Sequence, residues 1–334
     1  MKKYRVAILG ATGAVGTEMM KILDEHNFPL AELRLLASAR SAGKKMTFRG
    51  EELTVMEANE AAFAGMDIVL GAASSTLAKQ FAPAIVEAGA VFVDNSSAFR
   101  MDPDVPLIVP EINPEDVAWH KGIISNPNCS TIITLMAVKG INKLSPIRSM
   151  IASTYQAVSG AGAGGPIELA AQTRALANGE EISCEVFPYQ IAENLIPHIG
   201  GFLDDGYTAE EMKMQNEGRK ILHLPELRVN CTCVRVPVVR SHSISVTVYT
   251  ESPLTPEQAK EAIAKEAGCR LVDDPANKRY PMPLETSDQD TVFVGRIRAD
   301  LVQDGGIALW CCGDQVRKGA ATNAVQIAEL LIEK

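Results

Sequence analysis

Between residues 4 and 128, short apolar runs alternate with stretches whose apolar positions recur at helical spacing. The runs at 4–9, 33–37, 68–71, 91–94 and 122–125, with helical patterns between most of them, predict parallel strands joined by crossover helices. A polar hairpin from Lys44 to Val55, turning at Arg49-Gly50, interrupts this alternation after the second strand. Beyond about residue 145 the texture changes to longer two-residue alternation, at 146–158, 230–238, 243–250, 292–299 and 305–312, with Asp304-Gly305-Gly306 as a turn signal between the last two. Gln315 to Glu333 returns to helical periodicity and is expected to pack back on the first domain. The expected fold class is α/β: a parallel-sheet domain from residues 1–128 plus 315–334, and a second, α+β domain over 129–314.

A chain of 334 residues at 46% hydrophobic and 22% charged can bury two cores rather than one. Its net charge of -9, without long runs of like charge, argues against nucleic acid or an anionic membrane as the main partner and points to a small molecule. Met1 to Arg5 followed by Val6 to Gly10 superficially resembles a signal peptide, but the apolar run is short and no small-residue cleavage site follows. No later segment is long and uncharged enough to span a bilayer. Neither Cys231-Thr232-Cys233 nor Cys311-Cys312, among seven cysteines, has the spacing of a zinc knuckle or thioredoxin motif. Reduced thiols, a cytoplasmic location and no metal are therefore expected, with both pairs acting as small apolar residues on strands. Cys184 and Cys269 carry no motif, and no repeat or low-complexity segment is present.

Gly10-Ala11-Thr12-Gly13-Ala14-Val15-Gly16 follows a strand and opens a helix, the context that a dinucleotide fingerprint needs and that makes the first domain Rossmann-type. The first glycine permits the tight turn, the second lets backbone approach a pyrophosphate, and the helix end supplies amide donors. NAD-specific folds place an acidic residue after the second strand. Here Ser38-Ala39-Arg40-Ser41 stands there, and an arginine flanked by hydroxyls suits a 2′-phosphate, so NADP is the expected cofactor. Ser74, after the third strand, sits where loops touch a cofactor, although a serine there also serves as a helix cap.

Asn126-Pro127-Asn128-Cys129 follows a strand and begins an apolar helix, Ile132 to Ile141. A thiolate at a helix start is stabilised by the dipole and unpaired amides, which makes Cys129 a candidate nucleophile; the alternative is a buried first-turn residue. Of the histidines 26, 120, 198, 223 and 242, His242 is best placed as a proton carrier, between two strands of the second domain. Tyr155 to Gly165 ends a strand with a glycine run. Gln156 could orient a carbonyl there and Ser159-Gly160 could admit a nicotinamide, or the segment is a loop without a role.

Taken together, the Gly-Ala-Thr-Gly start, the Ser38 to Gly43 loop, Asp94-Asn95-Ser96-Ser97-Ala98-Phe99-Arg100, Asn126 to Cys129, Gln156 to Gly160 and Arg235 to His242 resemble the aspartate-β-semialdehyde dehydrogenase family, bacterial branch, over essentially the whole chain. The resemblance implies a thioester on Cys129, formed from β-aspartyl phosphate or by oxidation of aspartate semialdehyde and exchanged with inorganic phosphate. It gives His242 the acid-base role and Gln156 the orientation of the adduct. It assigns Arg235 to the substrate carboxylate, Glu217 to its ammonium, and Arg100, Asn128 and Lys220 to phosphate. Gln315 would face the nicotinamide carboxamide, where many members have Asn. Residues 165–215 would form a compact helical insertion. The second domain would be catalytic and would mediate a homodimer or dimer of dimers, in a pathway to lysine, threonine and methionine. The rivals are N-acetyl-γ-glutamyl-phosphate reductase, more distantly glyceraldehyde-3-phosphate dehydrogenase, and a non-catalytic NADP sensor with Cys129 as an oxidation switch.

Overall fold

Four consecutive residues, Val6 to Leu9, are buried along the strand β1 (Tyr4–Leu9), because both faces of the sheet it joins are covered. The computed structural model describes residues 2–332, so Met1, Glu333 and Lys334, the outer ends of the expected first domain and of its last helix, lie outside it. The chain divides into one unit ending at Asn128 and resuming at Ala320, and a second from Cys129 to Gly319.

The first unit continues with α1 (Ala14–Glu25), β2 (Leu30–Ala37), β3 (Lys45–Phe48), β4 (Glu51–Thr54), β5 (Met56–Glu57), β6 (Ile68–Gly71), α2 (Ser75–Glu87), β7 (Val91–Asp94) and β8 (Ile123–Ser125). Its sheet order is β5-β2-β1-β6-β7-β8, all parallel, a doubly wound Rossmann-type arrangement. Val6 and Ile8 pack in one core with residues of α1 and of the C-terminal helix Thr322–Ile332, whereas Ala7 and Leu9 pack in another with α2. The hairpin of β3 and β4 turns at Arg49 and Gly50, both at positive φ, as a tight two-residue turn requires. The second strand starts at Leu30, earlier than its apolar core at 33, because Leu30 and Glu32 already pair with β1.

In the second unit, α3 (Cys129–Leu144), β9 (Ile147–Gln156), α4 (Gly164–Asn178), α5 (Ala209–Ile221), β10 (Arg228–Arg235), β11 (His242–Thr250), α6 (Pro256–Ala264), β12 (Cys269–Leu271), α7 (Pro283–Thr286), β13 (Val292–Ala299) and β14 (Ile307–Gly313) follow in order. They build a mixed sheet, β10-β9-β11-β14-β13-β12. Helices α3, α5 and α6 pack against its strands. Alternation along β9 buries Met150, Ala152 and Thr154 and leaves Ile151 half exposed on the opposite face, where the Tyr155 and Trp310 rings lie 5.4 Å apart.

Several ends differ from the sequence expectation. β9 stops at Gln156 rather than 158, since Val158 to Ala161 coil into a turn whose Val158 amide donates to Val238. β10 stops at Arg235 rather than 238, where Pro237 has no amide to continue the ladder, and β11 begins at His242 itself. The last helix begins at Thr322, after a π-helical turn at Arg317–Ala321, not at Gln315. Asp314 accepts from Val316 and Arg317, and Gln315 is bonded to Ser241, so the second unit extends to Gly319 instead of ending at 314. Helix α5 starts with a capping box, Thr208 with Glu211, and α6 with another, Thr255 with Gln258. Among the described residues no helix is long and apolar enough to cross a membrane.

A methyl group on Gly16 would stand 2.3 Å from the Gly10 carbonyl oxygen. Gly16→Ala should therefore cost about 1–3 kcal/mol of stability, read as a lower denaturation midpoint at unchanged slope.

Candidate active site

The glycines of the first loop divide into two kinds. Gly10 lies at φ +91 with Ala72 O only 2.5 Å from where its Cβ would be, and Gly16 is equally crowded, so both are demanded by packing. Gly13 is not: a Cβ there would meet only the Gly10 oxygen, at 3.4 Å. Thr12, Gly13 and Ala14 are exposed and Val15 half-buried at the start of α1. Its first internal hydrogen bond, Thr17 to Gly13, leaves the amides of Ala14, Val15 and Gly16 outside the helix's own bonding. That is an anion-binding helix start with room for close approach. At the end of β2, Ser38 and Arg40 are exposed, whereas Ser41 turns inward and is buried. The Ser74 hydroxyl accepts from Leu77 and caps α2, the plainer of its two expected uses.

Arg100 is buried in this unit, its Nε donating to Asn126 O and its Nη2 to Asn95 O at 2.9 Å each. Asn126 in turn donates to Asn95 Oδ1 at 2.6 Å and accepts from Asn323 at 2.7 Å. These bonds fix the segment that runs through the buried Asn128 into Cys129.

In the second unit Cys129 is the first residue of α3, half-buried, and Gly319 is small where a side chain would touch its Cβ at 3.0 Å. The residue after β9 organises what faces it. Ala157 donates its amide to His242 Nδ1 at 3.0 Å, and its carbonyl accepts from Arg235 Nη1 at 2.7 Å. A backbone amide can only donate, so Nδ1 is the acceptor and the neutral ring carries its proton on Nε2. That Nε2 is buried without a partner among the described residues. Burial, and secondly Arg235, push the His242 pKa down to about 3, with Glu210 opposing. Burial likewise lowers that of Arg235, while Cys129 and Glu210 favour its charge. Gly160 leaves room for this pair, since a Cβ on it would lie 2.8 Å from Arg235 Nη1 and 3.3 Å from His242 Nε2.

Gln156, on the same strand end, accepts from the Thr154 hydroxyl at 3.0 Å and donates to Glu210 at 3.3 Å. Because a carboxylate only accepts, Glu210 fixes which way the amide points. Glu210 also pairs with Lys213 at 2.7 Å. Sequence reasoning missed it: an acidic residue in a first helical turn reads as a capping group, and its neighbour Glu211 does that work. Glu217 is buried on the same helix, with the half-buried Lys220 one turn on. Gln315 is hydrogen-bonded within the second unit. Its Oε1 accepts from Ser241 at 2.9 Å and its Nε2 donates to the Ser159 hydroxyl, which donates to Val239 O at 2.6 Å. These two side chains brace the 159 turn against the start of β11, leaving one Nε2 hydrogen for any further contact.

Residues 5–120 match the model of the semialdehyde dehydrogenase NAD binding domain, and 138–318 that of the semialdehyde dehydrogenase dimerisation domain. The aspartate-semialdehyde dehydrogenase of Synechocystis sp. is 52% identical over 330 residues, covering 99% of this chain and 98% of its own. Aspartate semialdehyde dehydrogenase II from Vibrio cholerae, solved in complex with ASA, superposes with a TM-score of 0.97 at 46% identity, covering 100% of this chain and 99% of its own. The Candida albicans enzyme, solved with NADP, gives 0.76 at 25% identity, with 99% of each chain covered.

The His242 ring resists protonation in the fold but not in the unfolded chain, so stability is full above the unfolded pKa of about 6.5 and falls as pH drops below it. Between pH 7 and 5 this one group should remove about 2 kcal/mol. Denaturation of the chain and of His242→Gln at both pH values should show the variant losing correspondingly less.

Proposed function

Because the chain belongs to the aspartate-semialdehyde dehydrogenase family, we propose that it converts L-β-aspartyl phosphate and NADPH to L-aspartate-4-semialdehyde, phosphate and NADP, and runs the reverse, through a thioester on Cys129. The observation that carries this reading is the Ala157 peptide, which aims an arginine and a histidine into the space served by Cys129, Gln156 and Glu210.

The residues fit the cofactor: open backbone at Gly13, unspent amides at the start of α1, and exposed Ser38 and Arg40 after β2 where an NAD-type carboxylate would otherwise stand. NADP, when bound, supplies or accepts the hydride. The chain's own residues do the rest. Cys129 Sγ attacks the acyl carbon, forming a C–S bond as the C–O bond to phosphate breaks; in reverse, phosphate attacks the thioester. Arg235 anchors the substrate α-carboxylate, with Glu217 for the ammonium and Lys220 for phosphate. Gln156, held by Thr154 and Glu210, orients the acyl oxygen, and His242, packed beside Gly160, serves as the acid-base group. A second copy of the chain packs on the uncovered sheet face around Ile151, Tyr155 and Trp310, in the cytoplasm, and the product feeds lysine, threonine and methionine synthesis.

Phosphate-dependent NADP reduction should appear with aspartate semialdehyde. Activity confined to N-acetylglutamate semialdehyde would assign the chain to the neighbouring reductase chemistry. Cys129→Ser should fall below about a thousandth of the parent turnover with NADP binding kept; retained turnover would end the covalent mechanism. Arg40→Ala should weaken NADP on the order of tenfold to a hundredfold while sparing NAD, as read from the two Michaelis constants.

A further inference from the structure

We propose that Asp94 is a positioning residue for the phosphate step: its buried carboxylate aims the Arg100 guanidinium through the one peptide group that joins Asn95 to Ser96. The proposal rests on the reading that Arg100 takes the phosphate of the acyl phosphate substrate, and it adds a residue to which that reading gives no part.

Asp94 ends β7 and is fully buried, with both carboxylate oxygens turned back onto the chain that follows. The Ser96 amide donates to Oδ1 at 3.0 Å and the Ser96 hydroxyl to Oδ2 at 2.7 Å, while that hydroxyl accepts from the Ala98 amide at 3.1 Å. The Ser96 N–H and the Asn95 C=O are the two ends of one planar unit. Its far end, the Asn95 oxygen, accepts from Arg100 Nη2 at 2.9 Å. Turning this peptide to release the arginine would therefore strip the carboxylate of a donor as well. The peptide before it is also held at both ends, the Asn95 amide donating to Gly71 O at 3.1 Å and the Asp94 carbonyl accepting from the Asn126 amide at 2.8 Å. Room for these groups is kept on β6, where a Cβ on Gly71 would meet the Phe92 ring at 2.7 Å and Asp94 Oδ1 at 3.3 Å.

A turn of this kind does not need a charge. An asparagine closes the same turn with a neutral oxygen, and burying a carboxylate is costly. Burial raises the Asp94 pKa, and the bonds from Ser96 and then the charge of Arg100 oppose it. What the charge adds is polarisation: a negative group at the N–H end of a peptide makes the carbonyl at its other end a stronger acceptor. Arg100 Nε donates to Asn126 O at 2.9 Å, an oxygen whose peptide nitrogen belongs to Pro127 and carries no hydrogen. Of these two bonds, only the one to Asn95 can be strengthened from behind. Neutral carbonyls orient a guanidinium without offsetting its charge as a contacting carboxylate would. The plane of the side chain is thereby set while its attraction for a phosphate is kept.

The test sets the phosphate constant against the others in phosphate-dependent oxidation of aspartate semialdehyde by the full-length chain. Asp94→Asn keeps an acceptor for the Ser96 amide and loses the charge. Its Michaelis constant for phosphate should rise about tenfold, with those for NADP and aspartate semialdehyde within about twofold of the parent. Ser96→Ala, which deletes only the bond to Oδ2, should raise the phosphate constant about threefold, and it carries the test alone if Asp94→Asn does not fold. A turn needed only for folding would shift all three constants together, or lower the denaturation midpoint and move none of them; either result would overturn the proposal. In an Arg100→Ala background, Asp94→Asn should add less than about twofold, and a full tenfold there would show that Asp94 acts by another route. The rise of the denaturation midpoint of the NADP-bound chain with added inorganic phosphate gives the same comparisons without turnover. Failure of the parent to oxidise aspartate semialdehyde would thus sink the functional reading, while phosphate binding still decides the positioning of Arg100.

Discussion

One residue's peptide groups govern the second unit. The amide and carbonyl of Ala157 point in opposite senses, one to His242 and one to Arg235, and together they set the two side chains of greatest electrostatic consequence. Much of the surrounding architecture serves to hold that residue. β9 must end at Gln156 so that the next residue is not consumed by the ladder. The turn after it is pinned by Val238 and Val239, and Gln315 ties it to the start of β11. On the far side of Arg235, Ile196 exchanges both backbone hydrogen bonds with it, at 2.9 and 3.0 Å, and the Phe187 ring lies 5.9 Å from its guanidinium. Phe187 is itself placed by Glu168, which gathers the amides of residues 185, 186 and 187, beside Gln172, which takes those of 191 and 192. The helical insertion is thus a brace for one arginine.

What could be read from the sequence was whatever depends on near neighbours. Periodicity placed all the strands of the two large sheets except the short edge strands β5 and β12, together with the Arg49-Gly50 turn and the helix that Cys129 opens. Both capping boxes were equally local, as Thr-x-x-Glu and Thr-x-x-Gln, although α6 escaped notice between the strands around it. What was not legible depends on partners far along the chain. The bond from Gln156 to Glu210 spans 54 residues, that from Ala157 to His242 spans 85, and that from Gln315 to Ser159 spans 156. No spacing rule encodes these, so Glu210 was overlooked and the bonds of Gln315 to Ser241 and Ser159 were not foreseen. A single turn likewise decides that Ser41 faces inward while Arg40 faces out.

The nucleotide loop shows that one motif can mix two requirements. Gly10 and Gly16 are glycines because backbone already occupies the space of their side chains. Gly13 meets no such obstacle, and its missing side chain is explained only by something approaching from outside. A pattern match treats the three alike, whereas the packing separates folding from recognition residue by residue.

The paired cysteines have a consequence for the chain's fate under oxidative stress. Cys231 and Cys233 lie with their sulfurs 3.8 Å apart, and Cys311 and Cys312 are adjacent, so both pairs look poised for redox chemistry. Burial instead holds Cys311 and Cys312 as protonated thiols, and Cys231 is driven the same way first by its neighbour Cys233 and then by burial. A thiol so suppressed is a poor target for peroxide or an electrophile. Damage therefore falls on accessible sulfur, the exposed Cys184 and the half-buried Cys129 and Cys269, before it reaches the buried pairs inside the strands.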